Sequence, residues 1–314
     1  MSGRPLLVLL GPTAVGKSEV ALEVGERLGG EIVSADSMQV YRWMDVGTAK
    51  PSPEDRARVP HHLIDVVDPA TPFSVADYQA MALECIRSIH ARGRIPLLVG
   101  GTGLYIKAVT DLYLFEAMER DGPTRRELQG RARQEGIEGL YRELQAVDPE
   151  GARRIHPNDA RRVIRALEVY RATGRPISRH QAARRDDEGF DLLMIGLTME
   201  REHLYSRIDS RVDRMMALGF KDEVRRLLER GYGPGLYPMR SLGYKEMTLY
   251  LLGGIGLEEA VRLLKRNTRH FAKRQITWFR PDKRIQWIEM GEDRDEGAVV
   301  ADIVNMVEGL PWNT

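Results

Sequence analysis

"LLVLLGPTAVGKSEV", residues 6–20, holds Gly11, Gly16, Lys17 and Ser18 in the spacing G-x-x-x-x-G-K-[ST]. An apolar run precedes the motif. Behind it, Val20, Ala21, Val24 and Leu28 recur at helical spacing until Gly29 and Gly30 stop the pattern. Strand, glycine-rich loop and helix in that order make a phosphate cradle, because backbone N–H groups at a helix N-terminus can wrap an anion. The cradle is Gly11, Pro12, Thr13, Ala14, Val15, Gly16, Lys17 and Ser18, with Lys17 as a point charge and the Ser18 hydroxyl as a ligand for Mg2+.

Outward from this loop, the first hundred residues alternate strands and helices. A second strand at Ile32 and Val33 ends in "SADSMQVY". Ser74 with Asp77 reads as a capping box opening a helix whose apolar positions Tyr78, Ala82, Ile86 and Ile89 stop before Gly93. Pro96 then leads into a third strand, "PLLVGGTGLY". Near-continuous apolar strands separated by helices imply a parallel sheet covered on both faces, with ligands bound beyond the carboxyl ends of the strands. The fold class is therefore α/β, and residues 11–18, 36–39 and 100–105 are expected around one crevice.

Two absences narrow the ligand. The third strand runs into Gly100 and Gly101, where a Walker-B pattern would place an Mg2+-binding Asp, and no N-K-x-D guanine signature occurs. A diphosphate other than that of a nucleoside triphosphate becomes a candidate. Asp36, just past the second strand, then has two readings that position alone leaves open: a base facing the same crevice, or an Asx-turn after a strand.

Composition sets wider bounds. With 42% hydrophobic and 30% charged residues, the 314-residue chain reads as globular, and its length suits two domains. The single cysteine, Cys85, excludes a disulfide framework and any Cys-based zinc site, as expected in a reducing cytosol. Leu6–Leu10 is too short for a signal-peptide core, and no stretch approaches the ~20 apolar residues of a membrane span, so a cytoplasmic protein without a membrane partner is expected. The net charge of +1 hides an asymmetry: residues 191–283 carry 18 Lys or Arg against 12 acids, whereas the last 31 residues carry 2 against 7. All 15 positive side chains in residues 121–190 are arginine, whose flat fork suits phosphate.

The stretches "GPTAVGKS", "SADSMQVYRWMDVGTAKP", "HHLIDVVDP", "RIPLLVGGTGLY", "DPEGARRIHPNDARRVIRALEVY", "SLGYKEM" and "FAKRQITWF" closely resemble, in order, the bacterial tRNA dimethylallyltransferases, also called tRNA delta(2)-isopentenylpyrophosphate transferases. The resemblance runs from about Leu6 to Trp287. It implies a P-loop NTPase-like parallel sheet core with an inserted helical tRNA-binding domain and a helical C-terminal part. On that basis residues 1–116 and 191–314 form the catalytic core, and 117–190 grip the anticodon stem. The chain departs from the family at "TDLYLFEAMERDGPTRREL", where members more often carry a Gly/Pro-rich linker.

The implied reaction transfers a dimethylallyl group from dimethylallyl diphosphate to N6 of the adenosine immediately 3′ of the anticodon, position 37, releasing diphosphate. The resemblance makes Asp36 the base, places Thr102 near the diphosphate and the adenosine, and puts Arg207 on the distal phosphate. In "REHLYSRIDSRVDRMM", Arg207, Arg211 and Arg214 form a basic stripe, of which Arg211 and Arg214 are expected to be a solvated face paired with Asp209 and Asp213. The expected tRNA contacts are Asp36, Ser37, Met38, Gln39, Thr102, Arg125, Arg161, Arg162, Arg165, Arg240, Lys245, Lys273, Arg274 and Gln275. Residues 262–283 carry eight Lys or Arg against one acid, and Trp278 and Phe279 within them are either core anchors or stacking surfaces. His270 reads as a phosphate contact or a neutral surface histidine. A monomer with Mg2+ as cofactor is expected. Two rival enzymes share the phosphate cradle: an adenylate isopentenyltransferase acting on free nucleotides, and a P-loop small-molecule kinase. A nucleotide-switched RNA-binding protein is the non-enzymatic alternative.

Overall fold

The computed structural model describes residues 4–113, 122–182, 189–291 and 296–312. The chain divides into two compact units, Met1–Thr110 with Phe190–Thr314, and Asp111–Gly189. The boundary expected at 116/117 lies outside the described residues, and the chain re-enters the first unit at Phe190.

In chain order the elements are β1 (Arg4–Leu10), α1 (Lys17–Leu28), β2 (Glu31–Ser34), α2 (Pro53–Arg58), β3 (His61–His62), α3 (Val75–Ala91), β4 (Pro96–Gly100) and α4 (Gly103–Thr110). The second unit supplies α5 (Pro123–Gln134), α6 (Glu138–Val147), α7 (Pro149–Arg154), α8 (Ala160–Thr173) and α9 (Ile177–Ala182). The first unit resumes with β5 (Phe190–Thr198), α10 (Arg201–Ala217), α11 (Phe220–Glu229), α12 (Tyr244–Leu251), α13 (Leu257–Phe279), β6 (Ile285–Glu289) and α14 (Glu296–Glu308).

Local signals account for the first elements. Helix α1 stops where Gly29 takes a left-handed φ of 59°, and its N–H returns to the Glu26 carbonyl. At the start of α3, Ser74 and Asp77 cap each other reciprocally. Strand β1 buries every residue from Leu6 to Leu10, each side chain contributing about 2 kcal/mol by the usual area scale.

Among the described residues six strands join one sheet in the order β3-β2-β4-β1-β5-β6, and every pairing between them is parallel. The sequence reading named three of these strands; β3, β5 and β6 complete the sheet, the last two lying among the helices of the C-terminal part. From β1 the chain moves outward through β2 and β3, returns to β4 beside β1, and later places β5 on the other side of β1. Strand order turns at β1, and the loops after β1, β2 and β4 leave the same edge of the sheet.

Helix α14 and the sheet close over α1 in one apolar core, in which Val20, Val24, Ile195, Val299 and Ile303 are buried. A second cluster ties Val40, Tyr41 and Met44 to Phe220, Tyr244 and Met247. Inside it the buried Glu223 carboxylate accepts the N–H groups of Asp45 (2.9 Å), Val46 (2.6 Å) and Gly47 (3.1 Å) and the Tyr244 hydroxyl (2.6 Å). The second unit has its own core, including Leu128, Leu140, Leu144, Val163 and Leu167.

Candidate active site

The phosphate loop takes the strained backbone that such a cradle needs. Ala14 and Gly16 both lie at positive φ, 66° and 101°, and Gly16 caps α1 without any side-chain hydrogen bond. Among the described residues, the N–H groups of Ala14, Val15 and Gly16 have no hydrogen-bond partner. Together with the first turn of α1 they form a concave, electropositive nest. Thr13 differs: its N–H is given to the Gln275 side chain at 2.9 Å, and that donor is not aimed into the nest. Lys17 folds back so that its ammonium donates to the Pro12 carbonyl at 2.6 Å.

Three charged side chains act on Lys17 in this crevice, Arg211, Asp36 and Glu19, and the Arg207 guanidinium and Glu296 carboxylate stand near Gly16. Burial pushes the Lys17 ammonium down to about 7, the Arg211 guanidinium pushes the same way, and the Asp36 and Glu19 carboxylates oppose both. Arg211 is itself held below the usual guanidinium range by burial, again against Asp36 and Glu19. Arg211 therefore corrects the expectation of a solvated stripe, since it is partly buried beside Lys17 and Asp36. The acids assigned to that stripe serve another helix: Asp209 binds Arg269 at 2.8 Å and Asp213 binds Lys265 at 2.7 Å, both on α13. Arg207, one turn earlier on α10, is exposed and lies at the outer side of the loop, where a Cβ on Gly16 would stand 3.6 Å from its guanidinium. It lines an open cavity with Met199, His203, Ser206, Met290 and Gly291.

Asp36 combines the two readings left open for it. Its Oδ1 accepts from Met38 N–H (2.8 Å) and Gln39 N–H (3.3 Å), an Asx-turn, while Oδ2 has no hydrogen-bond partner among the described residues. The turn aims the carboxylate; it does not consume it. Ser37 N–H donates to Thr102 Oγ1 at 3.0 Å, and Thr102 N–H donates to the Ala35 carbonyl at 3.1 Å, so the loops after β2 and β4 are tied together. Below them Tyr78 stacks on Tyr105 with centroids 3.8 Å apart and donates to the Ser34 carbonyl at 3.0 Å.

Beyond Asp36 and Thr102, the first-unit residues expected to face RNA divide into three groups. Ser37 and Met38 are half-buried in the Asp36 turn. Gln39 and Gln275 point inward instead. Gln39 accepts from Ser34 Oγ (2.9 Å) and donates to the Thr48 and Ala49 carbonyls (3.3 Å each), which anchors the 36–39 turn. Gln275 is only 6% exposed and bridges Thr13 N–H and the Gly101 carbonyl, at 2.9 Å each, so its side chain is not presented to an external ligand. Lys273 and Arg274 are exposed on α13, as are Arg240, shortly before α12, and Lys245, in the first turn of α12.

In the second unit, Arg125 and Arg165 converge on the buried Glu168 at 2.6 and 2.9 Å. Arg161 and Arg162 are exposed at the start of α8, the latter 3.5 Å from Asp159. Of the aromatic pair on α13, Phe279 is core, whereas Trp278 is 45% exposed and rests against Gly103, where any Cβ would overlap its ring. His270 is exposed on α13. The described residues contain no group of three or more His, Cys, Asp or Glu that would hold a metal ion, and no helix long and apolar enough to cross a membrane.

Residues 39–282 match the family described as IPP transferase, and residues 5–62 match the related isopentenyl transferase description. The chain belongs to the IPP transferase family. As a member it is a prenyltransferase. A tRNA dimethylallyltransferase of Pelotomaculum thermopropionicum is 52% identical over 306 residues, covering 98% of this chain and 97% of its own. The crystal structure of a tRNA isopentenylpyrophosphate transferase from Bacillus halodurans superposes with a TM-score of 0.73 at 46% identity, covering 98% of this chain and 96% of that one. A eukaryotic dimethylallyltransferase acting on tRNA superposes with a TM-score of 0.83 at 28% identity, covering 98% and 80% respectively. The P-loop core expected from the opening motif is thus the fold of this IPP transferase family.

Proposed function

We propose that the chain transfers a dimethylallyl group from dimethylallyl diphosphate to N6 of the adenosine immediately 3′ of the anticodon of tRNA. The observation that carries the reading is a loop of unpaired N–H groups at the start of α1, with the Lys17 ammonium folded onto it, facing an Asp36 carboxylate whose Oδ2 is left unbonded; the charges of Arg211 and Asp36 both act on Lys17. Two cations and the nest suit a diphosphate, and the carboxylate suits the nucleophile that displaces it.

An exocyclic adenine nitrogen is a poor nucleophile, because its lone pair is shared with the ring. As N6 bonds to C1 of the dimethylallyl group, the C1–O bond to diphosphate breaks and N6 must lose a proton. Asp36 takes that proton on Oδ2, while Oδ1 stays in its turn. Charge growing on the leaving diphosphate is met by Lys17, Arg211 and the N–H groups of residues 14–16, all fixed beforehand. Arg207 reaches the outer edge of the same loop and holds the end of the diphosphate remote from the reacting carbon. Thr102 holds the Ser37 N–H, keeping the base-bearing turn at a set distance from the loop after β4. The exposed Ser18 hydroxyl at the start of α1 fits Mg2+ carried by the diphosphate, since such an ion keeps waters and substrate oxygens as its other ligands. That ion would further neutralise the leaving group.

A stacked anticodon-loop base cannot reach a carbon held over this loop, so the adenosine has to leave its stack, at a cost of a few kcal/mol. The exposed cations Lys273, Arg274, Arg240 and Lys245, with Arg161 and Arg162 of the second unit, supply phosphate contacts. Arg125 and Arg165, both held on Glu168, add positive charge to the RNA-facing side of the second unit. Transfer of radiolabelled dimethylallyl groups to tRNA, with AMP and ATP as rival acceptors, tests the assignment. Label is expected in tRNA only; label in free nucleotide would point to cytokinin-type chemistry. Asp36→Asn is expected to keep tRNA affinity while slowing transfer by about 10²-fold or more. Unaltered turnover would remove Asp36 as the base.

A further inference from the structure

The side chain of Gln275 occupies a place that RNA binding does not explain. It projects inward from the last two turns of α13, and its two amide atoms are both spent: Oε1 on the Thr13 N–H, Nε2 on the Gly101 carbonyl. One partner lies in the loop after β1 and the other in the loop after β4. Gly101 can have no side chain here, because a Cβ would overlap the Gln275 amide nitrogen. Only an amide of this length offers an acceptor to one loop and a donor to the other from the same planar group.

The position of the two hydrogen bonds gives them a consequence. Thr13 directly precedes the three residues whose N–H groups form the nest, and Gly101 directly precedes Thr102. We propose that Gln275 is a positioning residue: its amide sets the span between the diphosphate nest and the Thr102 loop, and so acts on the prenyl donor and not on the RNA. The inference rests on reading the nest as the diphosphate site. Gln275 itself touches no substrate. With the bridge cut, Thr13 N–H is free to turn, the nest loses its fixed curvature, and the carbonyl of Gly101 is left buried without its donor.

Two substitutions separate this role from an RNA contact. Gln275→Met keeps length and apolar stem but has neither polar end. Gln275→Glu keeps an acceptor for Thr13 and loses the donor to Gly101. Five quantities are measured for each: the Kd of inorganic pyrophosphate with Mg2+ by calorimetry, the KM for dimethylallyl diphosphate, kcat, the Kd of an anticodon stem-loop RNA, and Tm. The expected result for Gln275→Met is pyrophosphate binding and donor KM each worse by about tenfold, the scale of one lost hydrogen bond, with RNA affinity within twofold of wild type. Gln275→Glu sets a carboxylate oxygen against the Gly101 carbonyl and adds negative charge beside the nest, so it is expected to lose at least as much pyrophosphate affinity as the Met variant with RNA affinity again within twofold, and it carries the test should the Met variant not fold. RNA affinity lost with pyrophosphate affinity intact would overturn the proposal. A wild-type protein that binds no pyrophosphate would instead sink the reading of the nest, a separate failure visible before any variant is made.

Discussion

Arg211 is the side chain that most changes the chemistry of the crevice, and its test is a comparison with its neighbour one turn earlier. If leaving-group charge falls on Arg211, Arg211→Met is expected to lower kcat by about 10²-fold or more, the usual cost of one lost transition-state contact. Arg207→Ala, at the outer edge of the loop, is expected to raise donor KM with a smaller effect on kcat. Steady-state kinetics on both variants decide it; the reverse order would return the main role to Arg207. The sequence held the signal for this assignment. Asp209 and Asp213 each lie two residues from Arg211, on another face of a helix, so neither can pair with it within α10. What sequence could not supply was the cross-helix partner each acid takes on α13.

Lys17 gives a pH dependence whose sign follows from burial. Its folded-state pKa of about 7 is below the ordinary 10.5, so between those values the unfolded chain binds more protons than the native one. Stability of the ligand-free protein is therefore expected to rise with pH across that window, a slope that Lys17→Met should abolish. A bound diphosphate favours the ammonium. Binding of pyrophosphate at pH 8 is then expected to take up protons, measured by calorimetry in two buffers of different ionisation enthalpy. Binding without proton uptake would show that Lys17 is already charged.

At the scale of elements, α13 has three distinct faces. One presents Lys265 and Arg269 to the acids of α10. A second buries Ala272, Gln275 and Phe279, and a third exposes Lys273, Arg274 and Trp278. Only the third is open to RNA phosphates. The double variant Lys273→Gln/Arg274→Gln is expected to weaken tRNA binding and to flatten the slope of log Kd against log salt by about one ion per lost contact. Pyrophosphate affinity should not move. A salt series on both proteins checks it, and an unaltered slope would take these two residues out of the RNA surface. The cationic excess of residues 262–283 was legible from the start. Its division among faces was not, because a helix of 23 residues packs on several partners and a charge count carries no direction. Gln39 and Gln275 illustrate the same limit: an amide reads alike in sequence whether it faces solvent or bridges two loops.

For the whole molecule, the opening fifteen residues determined more than any other stretch. The glycine-rich loop between an apolar strand and an amphipathic helix placed β1 and α1, and the next two apolar runs placed β2 and β4. Those three strands carry the phosphate loop, the Asp36 turn and the Thr102 loop, which is why that side of the site was readable; the segments after β5 and β6 that line the Arg207 cavity were not. The two-residue β3 is too short to leave a periodic trace, and β5 and β6 follow an interruption that hides their kinship with the first four strands.

That interruption also orders events during synthesis. Strand β1 sits between β4 and β5, and β5 begins only at Phe190, after the whole second unit has been made. While the ribosome extends the chain through residues 111–189, one flank of β1 has no partner, and the edge of its leucine- and valine-only stretch Leu6–Leu10 is left open to other chains. A chain halted at residue 189 is accordingly expected to aggregate, and adding residues 190–314 should restore soluble protein, as judged by fractionation after translation. Soluble, monodisperse protein from the short chain would show that the N-terminal half shields that edge by itself. For a nascent copy of this enzyme, the hazardous interval is set by the length of the insert.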